Sequence, residues 1–222
     1  MLPLTLGDVV HPRRILCLGA HSDDIEIGCG GTILALLEGD PPPEVRWVVC
    51  SADGGREREA RASAEGFLRT AVASRIIIEH FRDGYFPFEG ARLKEFFETT
   101  AREFEPDLIF THHRGDRHQD HRLVSDLTWQ TFRNHLILEY EVPKYDGDLG
   151  RPNCYVPVSA SQRRQKIRHL LETFESQREK QWFTEEAFSG LMRIRGVECS
   201  SPSGYAEAFH AYKLVLPFRL VP

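Results

Sequence analysis

An apolar run, Arg14-Ile-Leu-Cys-Leu-Gly19, ends abruptly in Ala20-His-Ser-Asp-Asp-Ile-Glu-Ile-Gly-Cys-Gly-Gly31, which packs one imidazole and three carboxylates among glycines. A short, continuously apolar stretch of this kind fits a strand buried on both faces of a parallel sheet. A core does not tolerate that much unpaired charge. The polar cluster therefore belongs at the strand's carboxyl end, where open α/β sheets bind their ligands.

The rest of the chain repeats the pattern. Glu44–Cys50, Arg75–Phe81, Asp107–Thr111 and Leu136–Val142 read as further strands. Between them Gly30–Glu38, Arg56–Leu68, Arg92–Phe104 and Val124–Asn134 read as helices. The first of these is stopped by Gly39-Asp-Pro-Pro-Pro43, and the third by Pro106. Strand alternating with helix predicts an α/β, Rossmann-like, doubly wound and mostly parallel sheet with helices on both faces. A helix from Ser161 to about Lys180 and a last strand, Ala211–Leu216, complete the expected elements, with loop between them. A length of 222 residues suits one domain spanning 1–222.

A second polar stretch, His112-His-Arg-Gly-Asp-Arg-His-Gln-Asp-His121, follows the fourth strand. If a helix opens near Asp116 to His118, residues 118 and 121 lie one turn apart and present both imidazoles from one face. Asp120 lies between them, and carboxylates commonly orient site histidines. His21 and Asp24 converge on one cation from their own tight turn. The two stretches together offer two histidines and an aspartate for a zinc site, with another aspartate and histidine left for acid–base work. Asp116 reads equally as a helix cap.

His21-Ser-Asp-Asp-Ile-Glu-x-Gly-Cys-Gly-Gly31 and His118-Gln-Asp-His121, each after a strand and in that order, resemble the signature motifs of the PIG-L/LmbE-like family of zinc-dependent N-acetylglucosaminyl deacetylases. Ser22 and Gln119 stand where that family usually has proline. The resemblance implies His21, Asp24 and His121 as metal ligands and Asp23 as general base. It implies His118, oriented by Asp120, as the group that meets the oxyanion as a cation. Zn2+ is the implied cofactor, with Fe2+ or another divalent metal competing for such a site. The implied substrate is an N-acetylglucosamine-type amino sugar, free or linked to a nucleotide, lipid or glycoside. Candidate substrate contacts are Arg56, at the carboxyl end of the second strand, and Lys144, Tyr145, Asp146 and Arg151, on a polar loop after the fifth. His210 joins them from Ala206-Glu-Ala-Phe-His210, which is similar to a family segment that closes the site.

Two other functions compete. Gly28-x-Gly30-Gly31 invites a nucleotide-binding oxidoreductase, but Gly-x-Gly-x-x-Gly is not matched and the glycines lie too far past the strand. A catalytically idle zinc sugar-binding protein needs the ligands but neither Asp23 nor His118. The balance of 28 basic and 33 acidic residues, net −5, gives no footprint for nucleic acid. No run reaches the ~18 apolar residues of a membrane span. The N-terminal ten residues lack a basic stretch followed by a long apolar one, so no signal peptide is expected. Five cysteines, two of them inside strand-like runs, fit buried thiols and a cytoplasmic protein. The oligomeric state is left open, a homo-oligomer included.

Overall fold

The computed structural model describes residues 12–215. The N-terminal stretch read for a signal peptide, His11, and Leu216 at the end of the expected last strand lie outside the described residues. Five parallel strands form the body of one sheet: β1 (Arg14–Gly19), β2 (Glu44–Val49), β3 (Ala73–Ile78), β4 (Leu108–His112) and β5 (Leu136–Tyr140). Two more, β6 (Cys154–Pro157) and β7 (Ala206–His210), extend it antiparallel beyond β5, giving the order β3-β2-β1-β4-β5-β7-β6.

Helices cover both faces. α1 (Asp24–Leu37), α2 (Gly55–Phe67), α5 (Ala160–Thr173) and α6 (Glu185–Glu198) pack on one side around Trp47, Phe67, Leu170 and Phe188. α3 (Gly90–Glu103) and α4 (Gln119–Thr131) pack on the other around Phe97, Phe104, Val124 and Phe132. No helix among the described residues is long and apolar enough to cross a membrane. The strand order reverses between β1 and β4, whose carboxyl ends carry the two polar stretches. That reversal is where a doubly wound sheet opens a crevice.

Three expectations are corrected. The first helix begins at Asp24, not Gly30, so the acidic residues form its first turn and Asp23 sits at its N-cap. Glycines run through it because α1 is closely packed. A Cβ on Gly28 would fall on the Tyr140 ring, and one on Gly31 would come within 3.0 Å of Glu207 Oε1. The final strand is Ala206–His210 rather than Ala211–Leu216. All five of its residues are buried, whereas residues 212–215 are exposed. Its Glu207 is polar but paired with Lys166, so burial leaves no apolar run to read. Strand β6 and helix α6 form within the stretch read largely as loop.

The middle of α1 is gripped by that buried pair. Glu207 accepts from the Gly31 and Thr32 backbone N–H groups at 2.8 and 2.7 Å, and Lys166 donates to the Ile27 carbonyl at 2.7 Å. Lys166 and Glu207 lie 2.6 Å apart.

Candidate metal centre

Two helix N-termini face the crevice: α1, with Asp23 at its N-cap position but making no side-chain cap bond, and α4, capped by His118, whose ring accepts from the Asp120 backbone N–H at 3.3 Å. They bring His21, Asp24 and His121 together. His21 Nδ1 is 3.1 Å from His121 Nε2 and 3.4 Å from Asp24 Oδ2, and His121 Nε2 is 3.5 Å from Asp24 Oδ1. Bonds of about 2.0 Å in a tetrahedral shell put donors about 3.3 Å apart, so these spacings fit one cation. His118 lies close enough to form an overlapping donor set with His21 and His121, and His112 another with Asp24 and His121. His121 is thus common to all three sets.

His21 and His121 each turn their other nitrogen to carboxylates, the arrangement that fixes tautomer and ring plane in metal sites. His121 Nδ1 donates to Asp116 Oδ2 at 2.8 Å. His21 Nε2 lies 3.1 Å from Asp83 Oδ1 and 3.3 Å from Asp120 Oδ2. Burial opposes charge on His21, but Asp120, Asp24 and Asp83 hold its imidazole well above the usual range. Carboxylates that hold a proton there would equally hold a cation.

The remaining groups are tuned apart. Burial, with Asp24 beside it, pushes the Asp23 carboxyl up to about 6, and its Oδ2 has no hydrogen-bond partner. Burial also acts on Asp24, but His121 and His112 hold that carboxyl well below the usual range. Burial and then His121 and His21 push His118 down, which disfavours its cationic form. His112 is fully buried, pushed down to about 4 by burial and then His121, and accepts from the Ala20 N–H at 2.9 Å.

A cleft of about 260 Å³ opens over this cluster. Of the expected substrate contacts, Arg56, Lys144, Tyr145 and Asp146 line it. Arg151 and His210 do not. Arg151 is exposed elsewhere on the loop, and His210 is buried in a stack on His113, ring centroids 3.8 Å apart. Lys144 lines the cleft but spends its ammonium on Asp116 and Asp148, at 2.9 and 2.7 Å. Asp120 is also corrected: its carboxylate reaches the Gly84 and Phe86 N–H groups and His21, not the His118 ring.

The sequence reading missed Asp83, Asp116, Gln177, Lys180 and Trp182. Asp83 sits on the loop after β3, where it bonds His21 and, at 2.9 Å, Arg56. Its place at a strand's carboxyl end was the available signal. Asp116 precedes His121 by five residues, a local spacing that was visible but read as a cap. Gln177, Lys180 and Trp182 follow α5 and arrive from far along the chain, with no motif to mark them.

The fold is shared with several solved structures. N,N'-diacetylchitobiose deacetylase from Pyrococcus horikoshii is 20% identical, with 90% of this chain and 84% of that one covered and a TM-score of 0.67. The conserved protein TT1542 from Thermus thermophilus is 19% identical over 94% of this chain and 98% of that one, at 0.68. GalB, the 4-carboxy-2-hydroxymuconate hydratase from Pseudomonas putida, is 17% identical over 94% and 100%, at 0.74. One scaffold thus carries both a deacetylase and a hydratase, so the fold alone does not choose the chemistry. The family described as PIG-L: GlcNAc-PI de-N-acetylase matches residues 16–132, which hold both motifs and the donor groups of His21, Asp24, His118 and His121. The chain belongs to the PIG-L family of N-deacetylases, metal-dependent amidohydrolases.

Proposed function

We propose that the protein removes the acetyl group from an N-acetylglucosamine-type sugar, with a divalent cation held by His21, Asp24 and His121. The observation that carries this is Asp23: a buried carboxylate beside the ligand set, raised to about 6, with one oxygen unpartnered. An idle sugar-binding protein has no use for such a group, which costs stability where it lies. Two imidazoles and one carboxylate suit zinc, and Fe2+ shares the preference. When bound, the cation supplies Lewis acidity toward the amide oxygen and lowers the pKa of water.

The protein's own groups then divide the work. Asp23 takes a proton from the attacking water as its oxygen bonds the acetyl carbon, and returns that proton to the nitrogen as the C–N bond breaks. The products are acetate and the amine. His118 accepts at Nδ1 from the Asp120 N–H, which leaves its proton on Nε2 and makes it a neutral donor toward the oxyanion. Tyr145 and Trp182 offer aromatic faces to the sugar, and Arg56 offers a charged donor. The full chain, 1–222, serves as one deacetylase domain in this reading. Its five unpaired cysteines support a reducing compartment, the cytoplasm.

A panel of N-acetylated sugars assayed for acetate release tests the proposal. Release that stops on chelation and returns with Zn2+ is expected. A metal-replete protein that deacetylates none of them would overturn it.

A further inference from the structure

The loop joining β5 to β6 contributes a lysine whose side chain is only 9% exposed although it borders an open cleft. Its surroundings explain the burial. Lys144 Nζ donates to Asp116 Oδ2 at 2.9 Å and to Asp148 Oδ2 at 2.7 Å, with Asp146 at 3.8 Å. Asp116 and Asp148 are each 5% exposed. Burial alone would push the ammonium down, but Asp148 and Asp116 hold it above its usual range. Two of its three N–H donors are thereby spent on protein carboxylates, and the third has Asp146 3.8 Å away, so little remains for a substrate.

We propose that Lys144 is a positioning residue for His121, acting through Asp116; this rests on the reading of His21, Asp24 and His121 as the cation's seat. Asp116 is the junction. Its Oδ1 accepts from the His118 backbone N–H at 2.8 Å, and its Oδ2 takes His121 Nδ1 at 2.8 Å together with the lysine. For His121 to offer Nε2 to a cation, its proton must stay on Nδ1 and the ring must keep its plane. A carboxylate held by the imidazole alone could swing away. With the ammonium on the same oxygen and the His118 N–H on the other, Asp116 stays in line. Lys144 also anchors Asp148, which accepts from the Arg117 backbone N–H at 2.7 Å and so fastens the loop itself. The residue thus has a positioning half, at Asp116, and a fastening half, at Asp148.

The two halves separate by experiment. Apo-protein, its folding checked by thermal melting, is titrated with Zn2+ against a chromophoric chelator, so that no activity is read. Lys144→Met and Asp116→Asn are each expected to weaken Zn2+ binding by about 10–100-fold, the usual cost of losing an outer-shell partner. The double variant should lose little more than either single one, because both cut the same link. Asp148→Asn should keep nearly wild-type affinity. If Lys144→Met does not fold, Asp116→Asn against Asp148→Asn decides: equal losses mean the loop is merely being fastened and overturn the proposal. Wild-type affinity in folded Lys144→Met, or losses that simply add, also overturn it while leaving the deacetylase reading in place. A wild-type protein that binds no Zn2+ overturns both.

Discussion

Helix α1 carries buried charge at its start and at its middle, and the two places treat it in opposite ways. At the middle, both oxygens of Glu207 and the ammonium of Lys166 are paired with each other or with helix backbone. At the start, Asp23 keeps an oxygen without any partner although the residue is only 4% exposed. Between them Glu26 takes a third course. Burial pushes its carboxyl up to about 8, which favours the neutral acid; one oxygen accepts from Ser63 and the other, like that of Asp23, has no partner. Buried charge that is fully paired suits architecture, whereas a carboxylate left unpaired beside convergent donors is a candidate for chemistry.

The largest effect expected from breaking this contrast is at Asp23. Asp23→Asn keeps the shape and the cation seat but removes the base, so acetate release should fall ~10²–10⁴-fold while metal content and melting temperature hold. A variant that sheds its metal would mean that Asp23 and Asp24 have exchanged roles. Lys166→Met should do the reverse. It strands Glu207 in the interior at a cost of about 3–5 kcal/mol, read by urea denaturation. Converting Glu207→Gln as well should recover part of that loss. Stability unchanged in Lys166→Met would erase the distinction between the two regions.

Smaller effects sharpen the comparison. Arg56 is tied to Asp83 at 2.9 Å yet faces the cleft. Arg56→Ala should raise KM about tenfold, the worth of one charged hydrogen bond, with metal retained. Unchanged KM and kcat would return it to a solvated helix face. An effect confined to acid pH is expected at His210, whose imidazole burial and then His113 push down to about 4. The unfolded chain, with its histidine near pH 6.5, binds the proton first, so this residue costs stability as pH falls from about 6.5 to 4. His210→Gln should flatten the fall in melting temperature across that window relative to wild type. Parallel curves would show that the stack on His113 accommodates the charge.

What could be read from the chain follows how local the determinants are. β1 and β4 announce themselves as apolar runs, and the polar residues that follow each are neighbours in the chain, so the parallel sheet and the clustering of His21, Asp23, Asp24, His118 and His121 were legible. The start of α1 was misplaced because glycines argue against a helix, and what overrides them is packing against Tyr140 and Glu207. Lys144 was read as a substrate contact because its burial depends on Asp116, on another element. β7 was missed for a like reason. Its Glu207 interrupts the apolar pattern, and Lys166, which satisfies that carboxylate, lies 41 residues earlier.

Lys166 and Glu207 reach the middle of α1 from 139 and 176 positions further along the chain. Ribosomes deliver the N-terminus first, at roughly 5–20 residues per second, so α1 waits on the order of ten seconds or more for the second of its anchors. Throughout that interval the nascent chain carries the first motif, and after residue 121 both motifs, without the ion pair that grips the helix bearing Asp24. Contacts of such sequence separation form late and slowly. A premature stop a few residues before Glu207 would therefore leave every motif residue intact in a chain whose first helix lacks that carboxylate's hold on Gly31 and Thr32.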